Sequence, residues 1–119
     1  MAPLFFTENK MTSCSQKIKQ LNDAFRQTFK GGKVIFTKSI SRLSPKDKCL
    51  IIHHIQTYDN FNKSNDPYGE HDFGAFIFNG NQIFWKIDYY DSQYLFFSNN
   101  PECDKSTNRV LTIMFADEY

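Results

Sequence analysis

The sequence predicts an α+β domain: two helices packed on one face of an antiparallel sheet of about four strands, in the order α-β-α-β-β-β. Three observations carry this. Apolar residues recur at helical spacing near the start, a Ser-Pro helix start sits at residues 44–45, and two alternating strands flank an Asn79-Gly80 turn. The 119 residues suit a single domain over 1–119 with one core. Residues 1–11 read as an irregular N-terminal segment.

Cys14, Ile18, Leu21, Phe25 and Phe29 form one apolar stripe, which places a helix from about Thr12 or Ser13 to Phe29. Lys17, Lys19, Gln20, Arg26 and Gln27 read as its solvated side, and Gly31-Gly32 as its stop. Lys33 to Lys38 (KVIFTK) is β-branched and aromatic, hence a strand. Ser44 as N-cap, Pro45 at the first helical position and Asp47 in the first turn open a second helix. It runs to about Tyr58 and buries Ile51, Ile52, Ile55 and Tyr58. Its adjacent His53 and His54 point about 100° apart, so the two do not chelate one metal. Asp72 to Phe78 and Gln82 to Tyr90 are the hairpin strands, because Asn and Gly accept the positive φ of a type I′ turn. Ser92 to Thr107 reads as a loop. Arg109 to Ala116 is apolar on both faces and suits a central strand.

Composition narrows the function. With 13 Phe and 6 Tyr, few positions bury much apolar area, and 23% charged residues with a mean hydropathy of -0.54 suit a globule in water. A net charge of +1 argues against phosphate-backbone binding. Lysines and arginines collect in the N-terminal third, but no nucleic-acid motif accompanies them. Cys14, Cys49 and Cys103 make no CxxC pair, which argues against a disulfide framework or zinc clip and points to reduced thiols in a cytoplasm, inert in or near the core. The MAPLFF opening lacks a basic segment before its apolar residues and does not read as a signal peptide. No apolar run approaches the ~18 residues of a membrane span.

The chemistry concentrates between Asp66 and Asp91. Alternation puts Gly74, Phe76 and Phe78 on one face with Ile83, Trp85, Ile87 and Tyr89, facing the helices. Phe73, Ala75 and Ile77 share the other face with Phe84, Lys86, Asp88 and Tyr90, joined by His71 if the strand extends back. Three readings stay open. Glu70, His71, Asp72 and Asp88 bind a divalent metal for hydrolysis, or His71 acts as a base. The spacing offers no HExxH or HxH, and Lys86-Ile87-Asp88 reverses the acidic-x-Lys order of metal nucleases. Alternatively the cluster is a protein-recognition patch, since interfaces favour aromatic anchors. Or Asp66-Pro67-Tyr68-Gly69 is an ordinary turn and Lys86–Asp88 a structural ion pair.

Five blocks carry a resemblance: LNDAFRQTF, GGKVIFT, DPYGEHDFGAF, FWKIDYYD and RVLTIMFADEY. They look like the successive blocks of a bacterial family of unknown function, short proteins frequently encoded on plasmids and other mobile elements of proteobacteria. The resemblance implies no activity, cofactor or catalytic residue. It implies an accessory role, such as antagonising a host defence or a competing toxin by occupying a surface. Gln93 to Thr107 departs from the pattern, being richer in Asn and Phe.

The leading expectation is a cytoplasmic protein-binding module without a cofactor. Its binding candidates are Asp66, Tyr68, Glu70, His71, Asp72, Lys86, Asp88, Tyr90, Asp91 and Arg109, converging on the outer face and one end of the hairpin. A metal-dependent hydrolase is the alternative. Homodimerisation is a further expectation, because a sheet with two apolar faces and helices on one must cover the other.

Overall fold

A computed structural model describes residues 13–119. The expected irregular segment 1–11 lies outside the described residues. Helix α1 spans Ser13–Thr28. It ends because Phe29 itself turns left-handed, at φ 58, while its N–H still bonds to the Phe25 carbonyl. Gly31 follows at φ 94, a value that suits a residue without a Cβ. Strand β1 is Gly32–Phe36, shorter than the predicted Lys33 to Lys38. Thr37 stays extended, and Lys38–Ser41 winds into a short helix, α2, that the sequence reading missed. Its Ile40 is fully buried.

Helix α3, Pro45–Gln56, starts as expected: Ser44 accepts from the Asp47 N–H and Pro45 follows the cap. Thr57 caps its end, so Tyr58 lies beyond the helix although it is buried. Strands β2 (Phe73–Phe78) and β3 (Asn81–Tyr90) form the hairpin, and β4 (Asn108–Phe115) follows a long loop. Short 3-10 turns cover Asp104–Ser106 and Ala116–Glu118.

The fold class stands as α+β, with two corrections. There are three helices among the described residues rather than two. The sheet, ordered β1-β4-β3-β2, is mixed rather than antiparallel: β1 runs parallel to β4, while β4–β3 and β3–β2 are antiparallel. A parallel pair needs a long crossover, supplied here by α2, α3 and the hairpin. The central place of β4 agrees with its two apolar faces.

The face assignment of the hairpin also holds. Gly74 pairs with Trp85 and Phe76 with Ile83, so both belong to one face. That face meets Phe25 of α1, Ile40 of α2, and Ile51 and Ile55 of α3 in one core with Ile87, Leu111 and Ile113. Each such side chain contributes ~1.5–3 kcal/mol by leaving water. One face of the sheet therefore carries all three helices. Among the described residues, none covers the other.

Candidate functional site

The uncovered face is built by alternate residues of four strands. Register places Lys86 of β3 beside Phe73 of β2 and Thr112 of β4, and Thr112 in turn beside Ile35 of β1. Asp88 and Lys33 both flank Val110. The result is a depression of about 660 Å³ with an apolar floor of Ile35, Val110 and Met114. Lys86 Nζ lies 3.0 Å from Asp88 Oδ2, and that hydrogen bond holds the lysine above its ordinary pKa. The pair is partly exposed, so it orients more than it stabilises.

Aromatic rings wall both ends. At one end Tyr90 stacks on Phe97 at 5.5 Å, and Lys33 Nζ sits 4.0 Å above the Tyr94 ring. At the other, Tyr119 meets Phe84 at 5.6 Å and Phe73 at 6.2 Å. Glu118 closes this end, accepting from the Phe115 N–H and from Thr37 Oγ1, both at 2.8 Å. The Phe115 N–H in particular lowers its pKa.

The candidate residues do not converge as expected. Lys86, Asp88 and Tyr90 share the outer face, and Asp91 lies at its edge, where Oδ1 accepts from the Gln93 and Leu95 N–H groups. Tyr68 projects from the turn at 80% exposure. The others gather on the helix side. Asp66 Oδ1 accepts from the N–H groups of Glu70 and His71, which holds His71 at φ 56 and turns it inward. Its ring stacks on Phe61 at 3.7 Å, with Nδ1 2.9 Å from Asp23 Oδ1 and Nε2 3.7 Å from Asp66 Oδ2. The expectation that His71 joins the outer face is therefore corrected.

Arg109 is also internal, at 1% exposure. Its Nε donates to Asn22 Oδ1 at 2.8 Å, and Nη2 to the Pro101 carbonyl. Asn22 Nδ2 is 2.8 Å from the Tyr89 oxygen and 3.0 Å from the Glu70 carbonyl, and the Tyr89 hydroxyl donates to Glu70 Oε1. Burial pushes Tyr89 well above its ordinary pKa and Arg109 below its own. Asp72 is raised as well, by burial first and then by Glu70. This network braces the back of the sheet against α1.

Arg26, expected in solvent, is buried beside it. Its Nε donates to the Ile55 carbonyl at 3.1 Å and Nη2 to the Tyr58 carbonyl at 3.3 Å. Among the described residues no group of three or more His, Cys, Asp or Glu is placed to hold a metal ion, so Glu70, His71, Asp72 and Asp88 do not assemble as a ligand set. Sequence reading missed Lys33, Tyr94, Glu118 and Tyr119 as wall residues. The β1–β4 pairing that brings Lys33 into the groove left no local signal. All three cysteines are free and exposed, not in or near the core. No helix among the described residues is long and apolar enough to cross a membrane.

The model of a family described as "Protein of unknown function (DUF3768)" matches residues 36–118, more than half of the chain, and the chain belongs to that family. The match begins at Phe36, so LNDAFRQTF and most of GGKVIFT lie outside it. No curated protein and no solved structure matches the chain.

Proposed function

We propose that this DUF3768 protein is a small binding module that holds a protein partner against the outer face of its sheet. One observation carries the reading: all three helices pack on one face, and the opposite face, free of helices among the described residues, is an aromatic-walled groove. Protein interfaces concentrate their energy in aromatic anchors at a desolvated centre. Lys86 and Asp88 give the groove a fixed ion pair along β3, which a partner must match with its own charges to bind. Glu70 and Arg109, joined through Asn22 and Tyr89, brace this site from behind, with His71 held beside them by Asp23.

The proposed setting is the cytoplasm of a bacterium, on a mobile element. Free, exposed Cys14, Cys49 and Cys103 suit a reducing compartment. The resemblance of the sequence blocks to short plasmid-borne proteins supports an accessory role that blocks a defence factor or toxin by occupying its surface. No cofactor enters this action.

Affinity capture from the cell of origin tests the reading, with wild type beside a Lys86→Ala/Asp88→Ala double variant. The expected result is a partner that wild type retains and the variant loses about ten-fold or more. Equal capture by both folded proteins would sink the proposal.

A further inference from the structure

We propose that the outer face is covered by a second copy of this chain, related by a two-fold axis, the ridge Leu95 to Phe97 of each copy seated in the groove of the other. This rests on the reading of that face as a binding surface and names a second copy as its occupant, so that a defence factor or toxin reaches the face only by displacing that copy.

The ridge comes first. Leu95, Phe96 and Phe97 are 66%, 72% and 70% exposed, a consecutive apolar run in water. Such a patch marks an interaction site. The run is also held in place. Asp91 Oδ1 accepts from the Leu95 N–H, the Asp91 N–H donates to the Phe96 carbonyl, and the Ser98 N–H donates to the Tyr89 carbonyl. Asn108 Nδ2 donates to the Asp91 carbonyl at 2.9 Å. Little backbone ordering entropy is left to lose on binding.

Ridge and groove adjoin on one side of the molecule. Tyr94 lines the groove and precedes the ridge directly, and Tyr90 of the groove wall stacks on Phe97. A two-fold interface needs this arrangement: one patch carrying both a projection and its receptacle.

Charge then selects among occupants. Lys33 and Lys86 in the groove are matched by Asp88 and Glu118. A face balanced in this way meets its own copy without like-charge repulsion. An anionic membrane or a phosphate backbone would require a surplus of cations. The area suffices. At about 200 Å² for a fully exposed aromatic, the exposed parts of Ile35, Tyr94, Leu95, Phe96, Phe97 and Tyr119 amount to on the order of 700 Å². A standard interface buries ~800 Å² per partner.

Sedimentation velocity on the full chain, from micromolar to sub-millimolar concentration, tests the proposal, with circular dichroism reporting the fold of each variant. Wild type is expected to form dimers. Phe96→Ser/Phe97→Ser and Asp88→Lys are each expected to weaken association about ten-fold or more. The double swap Lys86→Asp/Asp88→Lys restores neutrality and is expected to recover dimerisation. A wild type that stays monomeric throughout overturns the dimer, and the capture experiment with Lys86→Ala/Asp88→Ala then decides separately whether the face binds anything. Capture of a different protein by such a monomer gives the face to that partner instead. Dimers that survive Phe96→Ser/Phe97→Ser also overturn the proposal, by locating the interface elsewhere, and so does a double swap that remains as weak as Asp88→Lys.

Discussion

Arg109 Nε donates to Asn22 Oδ1 at 2.8 Å, joining the central strand to the first helix across 87 positions of sequence. Both residues are almost fully buried, and Asn22 also serves Tyr89 and Glu70. Removing the amide leaves a guanidinium N–H and a backbone carbonyl without partners in the interior. Asn22→Ala is therefore expected to cost about 3 kcal/mol, more than its small volume change alone would cost. Chemical denaturation measures it. Because Asn22 lies behind the sheet, any ligand of the outer face is expected to bind the folded variant as it binds wild type.

Gly74 sits opposite Trp85 in the hairpin, and the indole occupies the space where a Cβ would stand. Gly74→Ala forces the fully buried tryptophan out of place and is expected to cost about 2–3 kcal/mol. A shifted tryptophan emission maximum would accompany the lower denaturation midpoint. Gly80→Ala is a useful contrast, since its penalty comes from φ 79 and no atom crowds the site.

Asp72 gives a pH dependence with a definite sign. Its folded-state pKa is raised by burial and by Glu70, so the folded protein binds this proton more tightly than the unfolded chain. The ionised carboxylate is a destabilising contribution, fully present above the folded pKa and relieved as pH falls below the ordinary carboxylate value. Asp72→Asn is expected to raise Tm at neutral pH. Its advantage over wild type should shrink across the acid range between those two values. A Tm difference that is flat across that window would contradict the assignment.

Asp91→Ala should loosen the ridge without unfolding the sheet. The carboxylate accepts from the Gln93 and Leu95 N–H groups, which have no other acceptor among the described residues. Faster amide exchange confined to residues 93–97 is the expected signature, with global stability changed by about 1 kcal/mol or less.

Much of this fold was legible in the sequence, for identifiable reasons. The hairpin faces follow from a period of two and an Asn79-Gly80 turn, and the α3 start follows from Ser44 and Pro45. The direction of β1 was not legible, because no local pattern distinguishes a parallel neighbour from an antiparallel one. Arg26 reads as solvated because the carbonyls it serves, Ile55 and Tyr58, lie 29 and 32 positions away. His71 would join the outer face only if the strand extended back, but β2 begins at Phe73, and the left-handed backbone of His71 depends on how the Asp66 carboxylate grips two N–H groups. The ridge was hidden differently. The loop over Ser92 to Thr107 is legible, but a Leu-Phe-Phe run suggests burial, and only the structure shows it exposed and pinned by Asp91. Of the site, sequence pattern placed Phe73, Phe84, Lys86, Asp88 and Tyr90 on one face and missed Lys33, Tyr94, Glu118 and Tyr119 beside them.

Hydroxyl-radical footprinting of the protein, free and then saturated with whatever it binds, tests the claim for the outer face most directly. Protection is expected at Tyr90, Tyr94, Phe96, Phe97 and Tyr119, with Tyr68, 80% exposed on the turn, labelled equally in both states. Protection at Tyr68 and along α1, with the groove aromatics unchanged, would contradict it and move the binding surface to the helix side.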